Sequence, residues 1–375
     1  MCQPRHDAEG LQHFRDVRPE QIDVQENGVR VQWSDASHDS FYPWDFIETY
    51  IQSDRRTPEP RRIEYFGSNG SGNSTSWPPS VSSKDLEDNE TRTVAQLTDF
   101  IVSPICHPRH TYDWPSAHHE AETIRVCLRD RRPFRDWGSN EKAAGKIAFI
   151  RQTHYGGFYD FIPDLAMADT AYTNLALGAH TDTTYFTDPA GLQAFHLLSH
   201  ADPTAKDGEG TLGGKSLLVD GFYAASLLRK ESPRAYKILT THKLSWHASG
   251  NEGITITPDT SYPVLESKSN GQGLRRVRWN NDDRGVVPFT ERSPMEWYEA
   301  AREWHSILTR KDLEYWVQLT PGNLLIFDNW RVLHGRSAFT GVRRMCGGYI
   351  NRDDFVSRWR NTNFPREEIL KRVVG

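Results

Sequence analysis

The feature that most constrains this chain is a series of short β-patterned runs, punctuated by turn residues, from about residue 146 onward. NLALGAHTDTTYF (174–186) reads as one strand and NLLIFDNWRVLH (323–334) as another, the latter opened by the turn signal Pro321-Gly322. RRMCGGYI (343–350) is a third strand. Two helices are marked between them. Ser293-Pro294-Met295-Glu296 is a capping box with proline at the first helical position, and Trp297, Ala301, Trp304 and Leu308 follow at helical spacing. Ser232-Pro233 opens the other helix, with Tyr236 and Leu239 expected on its inner face. Many short strands flanked by a few helices predict a mainly β fold of the α+β type, a jelly-roll barrel buttressed by helices.

The N-terminal third reads differently. Residues 1–55 form a small β-rich module, because GVRVQWSDASHDSFYPWDFI alternates apolar and polar positions. Residues 56–92 are read as a linker, on the Gly, Ser, Pro and Asn content of 67–92. The barrel domain is assigned to 93–375. Within it, residues 93 to about 140 have no clear period, and the cluster His107, His110, His118 and His119 is read as a polar irregular loop rather than a metal site.

Composition serves mainly to exclude. A chain of 375 residues can bury a large core. Its net charge of −5 and lack of a basic stripe argue against nucleic acid as a partner. No apolar run approaches the ~20 residues that cross a bilayer, and the opening MCQPRHDAEG has no signal-peptide core. Cys2, Cys106, Cys127 and Cys346 are far apart, which fits reduced thiols in an intracellular protein. A cytoplasmic location is expected, or a mitochondrial one if a presequence preceded this start.

His180 and Asp182 stand two apart on a predicted strand, where alternate side chains share a face. Such a pair arises easily by chance, and His200-Ala201-Asp202 is a second copy in a polar loop. Context favours the first, because strand backbone holds ligands rigidly. His334 follows the apolar run NLLIF at the end of another strand. Two imidazoles and a carboxylate form a facial triad with open positions, which suits non-haem Fe(II); a zinc hydrolase can use similar ligands. Arg343 lies about one strand further on. It shares strand parity with Met345, Gly347 and Tyr349, and a guanidinium there suits bidentate capture of a carboxylate.

The strings IRQTHYG, DTAYTNLALGAHTDTTYF, GGKSLLVDGFYAA, WNNDDR, FDNWRVLHGR and GGYINRDD resemble the trimethyllysine and γ-butyrobetaine dioxygenases, Fe(II)- and 2-oxoglutarate-dependent oxygenases of the TauD/TfdA type. The resemblance covers residues 145–360. It implies a double-stranded β-helix (jelly-roll) fold and hydroxylation of an amino-acid or betaine substrate by O2, with ascorbate as reductant. Trimethyllysine, hydroxylated at C3 in carnitine biosynthesis, is the expected substrate. The resemblance also implies site roles. His180, Asp182 and His334 would bind iron. Arg343 would bind the far carboxylate of 2-oxoglutarate, with Ser216 beside it. Tyr155, Tyr159, Tyr172 and Tyr349 would cage a quaternary ammonium, and Asp169 with Asn280 or Asn281 would grip the polar end. The family also tends to form homodimers. Aromatic faces suit a trimethylammonium group, which donates no strong N–H hydrogen bond, at up to ~2 kcal/mol per desolvated contact.

Three departures stand out. Tyr159 occupies a cage position usually held by Trp. The family's N-terminal module normally holds a structural zinc, but only Cys2 and His38 stand at matching places, and Pro4 lies where another cysteine would be expected. The chain is therefore expected to start inside that module, which is truncated, and to bind no zinc there. Third, residues 93–140 lack the family's strand-rich pattern. The alternatives are γ-butyrobetaine or another amino acid as substrate, and an inactive relative acting as a binding protein.

Overall fold

The computed structural model describes residues 18–34, 39–45, 47, 80–82, 126–129, 141, 144–161, 173–201, 212–268, 273–288, 293–321 and 323–373. The chain divides into two compact units, Met1–Arg56 with Pro365–Gly375, and Thr57–Phe364. In the first, β1 (Pro19–Gln25), β2 (Gly28–Trp33) and β3 (Asp39–Pro43) form an antiparallel meander. Arg30 pairs with Asp39 across it, and the Trp33 indole donates to Ser40. The same unit contains a C-terminal helix, Arg366–Val373. Cys2, Pro4 and His38 lie outside the described residues.

The second unit is built on two sheets. One has four strands in the order β12 (Tyr315–Val317), β9 (Ser216–Asp220), β14 (Val332–Arg336), β7 (Leu177–His180). The other has six, in the order β4 (Ser80–Ser82), β5 (Val126–Arg129), β13 (Asn323–Asp328), β8 (Leu192–Ala201), β15 (Val342–Ile350), β6 (Phe158–Phe161). A hairpin of β10 (Leu265–Ser267) and β11 (Leu274–Val277) stands beside them. Two of these strands depart from expectation: β4 falls in the stretch read as a linker, and β5 in the stretch without period. Each has only three or four residues, too few to show alternation in sequence. His107, His110, His118 and His119 lie outside the described residues.

Period-two alternation sorts the side chains of each sheet. Leu197, Leu325, Phe327 and Met345 of the six-stranded sheet pack against Leu218 and Val332 of the four-stranded one. The intervening residues face outward. Leu192, Ala194, Leu324, Ile326 and Ile350 are covered by Phe355 and Trp359 of helix Arg352–Asn363. Leu217, Val219 and Leu333 are covered by α1 (Gly221–Glu231), α2 (Pro233–Thr241) and α3 (Pro294–Leu308).

The helix signals read in sequence appear at their expected places. Ser293 caps α3 by accepting from the Met295 amide, and Trp297, Ala301, Trp304 and Leu308 are all buried. Ser232 precedes α2, and Ala235, Ile238 and Leu239 form its inner face, with Tyr236 half-buried against the same core. No described helix is long and apolar enough to cross a membrane.

Two of the expected strands are shorter than the sequence suggested. β7 ends at His180, and Thr181–Thr187 is a turn. NLLIFDNWRVLH is two strands in different sheets: β13 stops at Asp328, Asn329–Arg331 crosses over, and His334 lies in the middle of β14. The crossing is held by a buried ion pair. Arg331 donates from Nε and Nη2 to the two oxygens of Asp220, at 2.9 and 2.8 Å.

Candidate active site

His334 and His180 are direct partners in the β14–β7 register. Their rings therefore lie side by side, with centroids 4.3 Å apart. Asp182 joins them from the turn, not from a strand face as expected. Its Oδ1 is 3.3 Å from Nε2 of His180 and 3.6 Å from Nε2 of His334. The turn reverses at Thr183, whose φ of 57° makes it the only described non-glycine residue with left-handed backbone. That conformation is a genuine outlier for a β-branched residue, of the kind that clusters at functional sites. Asn329 grips the turn from the sheet crossing. Its Oδ1 accepts from the Asp182 amide at 2.9 Å, and its Nδ2 donates to the carbonyls of Asp182 and Ala190, both at 3.0 Å.

The three ligand candidates are electrostatically distinct. Burial opposes a charge on His180, but Asp182 and the Gly178 carbonyl outweigh it and raise its pKa. Nδ1 of His180 lies 2.8 Å from that carbonyl. A carbonyl can only accept, so Nδ1 carries a proton, and Nε2 is the nitrogen that faces Asp182 and, once deprotonated, can offer its lone pair to a metal. Burial, then the His180 charge, push His334 down to about 3. Burial favours protonated Asp182, but the two imidazoles and the Tyr349 hydroxyl hold it well below the usual carboxylate range. These three are the only described group of His, Cys, Asp or Glu side chains close enough to share a metal ion, with donor atoms within 4.8 Å of one another.

They open onto a cavity of about 360 Å³ between the two sheets. Three of the four expected cage residues line it. Tyr155 meets Tyr159 edge-on at 6.4 Å, and Tyr159 meets Tyr349 at 5.6 Å. Gly347 makes room for this: a Cβ there would lie 2.8 Å from the Tyr159 hydroxyl and 2.2 Å from the Ala194 carbonyl. Tyr172 and Asp169 lie outside the described residues. Asn280 lines the cavity, whereas Asn281 is exposed and accepts from Arg284 at 2.9 Å.

Arg343, Met345 and Tyr349 all line the cavity, in keeping with their parity. Arg343 is only 5 % exposed, and its Nε has no hydrogen-bond partner among the described residues. Burial, then the charge of Arg336, lower its pKa to about 10, so it stays cationic at neutral pH. Gly214, at φ 69°, presses on it; a Cβ there would stand 3.2 Å from Nε. Ser216 lies in the same wall, buried at the start of β9. The second His-x-Asp copy is not part of this site: His200 directs Nε2 to the Thr340 carbonyl at 2.8 Å, and Asp202 lies outside the described residues.

Residues 130–349, more than half of the chain, match the family model described as taurine catabolism dioxygenase TauD, TfdA family. The chain belongs to this dioxygenase family. A trimethyllysine dioxygenase from Neurospora crassa is 54% identical, over 96% of this chain and 76% of its own length. A mitochondrial trimethyllysine dioxygenase from Bos taurus is 43% identical, over 58% of this chain and 50% of its own. A gamma-butyrobetaine dioxygenase from Homo sapiens is 26% identical, over 68% and 63%. The chain therefore falls on the trimethyllysine dioxygenase branch of the TauD, TfdA family.

The residues present fit the iron and 2-oxoglutarate that such dioxygenases use. Two imidazoles and a carboxylate converge at one edge of the cavity, and a buried guanidinium with no carboxylate partner among the described residues lies in its wall. Sequence reasoning missed Asn329, Gln193, Arg336 and the His247–Asn251 segment of the cavity wall. Asn329 stands inside the quoted string FDNWRVLHGR, but only the fold reveals that it reaches Asp182.

Proposed function

We propose that this dioxygenase hydroxylates C3 of N6,N6,N6-trimethyllysine. The observation that carries the reading is that one cavity is bounded by His180, Asp182, His334, Arg343 and a wall of three tyrosines. In this reading the two sheets are the halves of a jelly-roll barrel. His180, Asp182 and His334 hold iron, and Arg343, with Ser216 beside it, binds the far carboxylate of 2-oxoglutarate. When bound, iron and 2-oxoglutarate supply the oxidising power, coupling decarboxylation to succinate and CO2 with transfer of one oxygen atom from O2 to a C–H bond.

The protein supplies orientation and dryness. Tyr155, Tyr159 and Tyr349, joined by Tyr172, offer ring faces to the trimethylammonium group and exclude water around it. Asn280, with Asp169, takes the amino-acid end. Asp169 can pair with an α-ammonium group, which γ-butyrobetaine lacks. The Leu218, Phe327 and Met345 cluster closes the space between the sheets beyond the ligands.

The test is mass spectrometry of trimethyllysine and γ-butyrobetaine, each incubated with the full chain, Fe(II), 2-oxoglutarate and ascorbate. A product of trimethyllysine heavier by one oxygen atom is expected, with little turnover of γ-butyrobetaine. The reverse preference would overturn the substrate assignment. Asp182→Ala should abolish substrate-dependent succinate formation, and undiminished turnover would remove the triad.

A further inference from the structure

The two oxygens of Asp182 are not equivalent. Oδ1 faces the imidazoles of His180 and His334. Oδ2 accepts from the Tyr349 hydroxyl at 2.7 Å and from Nε2 of Gln193 at 2.5 Å. Gln193 must turn its amide hydrogens toward the carboxylate, because its own carbonyl would be repelled there. Both donors are rigidly held. Gln193 on β8 and Tyr349 on β15 are direct partners in the antiparallel register, 1 % and 4 % exposed. Asn329 fixes the Asp182 backbone independently, so the carboxylate is restrained at both ends.

We infer that Gln193 and Tyr349 are positioning residues that restrict Asp182 to metal binding through Oδ1 alone, and that Tyr349 does so from within the substrate cage. The inference rests on the reading of His180, Asp182 and His334 as the iron site. Its chemical reason is a count of coordination positions. An octahedral ion with three protein donors keeps one face for a two-point chelator and oxygen. A carboxylate binding through both oxygens would take one of those positions, and the keto acid and O2 could no longer bind together. Two charge-assisted hydrogen bonds on Oδ2 hold that oxygen away from the metal and reduce its capacity to donate.

Tyr349 thereby does two separable things. Its ring packs against Tyr159 in the cavity wall, at 5.6 Å between centroids. Its hydroxyl leaves that wall to reach the metal ligand. Tyr349→Phe removes the second role and keeps the first. Gln193→Leu removes the other donor with a side chain of similar size.

The experiment uses the metal-stripped full chain titrated with Mn(II), reading free Mn(II) by electron paramagnetic resonance. The iron-loaded enzyme is then assayed for succinate and hydroxylated product. Both variants should change Mn(II) affinity about tenfold, and once loaded with Mn(II) they should bind 2-oxoglutarate more weakly, because the freed Oδ2 competes for its position. Tyr349→Phe should lower kcat and raise the ratio of succinate to product, with KM for trimethyllysine little changed because the ring remains. If both bind Mn(II) as the parent does and keep its succinate-to-product ratio, the inference is overturned. Should Gln193→Leu melt far below the parent, Tyr349→Phe decides alone. Asp182→Ala separates the two layers: if it still binds Mn(II), the iron-site reading itself falls. If it loses Mn(II) while Tyr349→Phe behaves as the parent, only the positioning role is lost.

Discussion

Two groups of buried arginines lie near Asp182, and they differ in what neutralises them. Beneath the turn, Arg276 and Arg278 share Glu266, whose Oε1 is 2.8 and 2.9 Å from their Nε atoms, and Arg276 also reaches Asp188 at 3.1 Å. Arg278 donates to the carbonyls of Thr184 and Phe186, and its guanidinium lies 4.2 Å from the Tyr262 ring centroid. In the cavity wall, Arg343 is nearly as buried but has no carboxylate partner among the described residues. Burial lowers both Arg278 and Arg343 to about 10, but the next influence on Arg278 is Glu266, while that on Arg343 is another cation. A buried, unpaired charge is costly. The fold meets that cost with a carboxylate in the first group. In the second it leaves the charge available to an anionic ligand. The paired group builds the turn that presents Asp182; the unpaired one serves what binds there.

The largest effect should come from breaking the paired group. Glu266→Ala leaves two guanidiniums buried without their shared carboxylate, and should lower unfolding stability by about 3–5 kcal/mol. Urea denaturation measures it. A loss below about 1 kcal/mol would mean that Asp188 and the carbonyls suffice, and the contrast between the groups would fail.

Arg343→Met should behave in the opposite way. Unfolding stability without ligand should stay level or rise, because an uncompensated buried charge has been removed. KM for 2-oxoglutarate should rise by roughly 10- to 100-fold, the equivalent of about 1.5–3 kcal/mol for hydrogen bonds to a charged group. The parent protein, loaded with Mn(II), should also be stabilised by 2-oxoglutarate, by about 2.7 kcal/mol at a hundred times its Kd. At that same concentration the variant should gain much less. A destabilised variant with unchanged KM would move Arg343 into the structural group.

The sequence made some of this legible and hid the rest for definite reasons. Arg343 and Tyr349 could be placed on one face because strand alternation survives along β15. The helices were legible because Ser293-Pro294 and Ser232-Pro233 are local signals. Asp182 was placed on a strand because HTDTTYF is β-patterned. What turns the chain instead is Thr183 in the left-handed region and the amide of Asn329, which is 147 positions away. His334 was read as ending the NLLIF strand, although Asp328-Asn329 breaks the apolar run at the point where the chain crosses between the sheets. Gln193 carries no sequence signal at all. Its role depends on lying opposite Tyr349, and register across β8 and β15 is a property of the folded sheet.

The smallest effect is one of pH, and it again divides the two groups. Binding a metal requires His180, His334 and Asp182 to give up their protons. His334 at about 3 and Asp182 below the usual range have already done so at neutral pH, so His180, with its raised pKa, is the first of the three to take up a proton that a metal must displace as pH falls. Mn(II) affinity should therefore fall about tenfold per pH unit, near 1.4 kcal/mol, as pH drops below the His180 value. A slope of two protons would mean that His334 is also charged. Stability of the metal-free protein should instead peak near about pH 6.5, because the two histidines act with opposite sign on either side of it. The raised pKa of His180 contributes stability that is fully present below about 6.5 and is lost as pH rises through its folded value. The depressed pKa of His334 contributes the opposite, a loss as pH falls from about 6.5 toward 3. Arg278, lowered only to about 10, remains charged throughout this range and adds no slope of its own. A metal-free protein whose stability does not fall as pH drops from about 6.5 to 4 would show that His334 is not held neutral there.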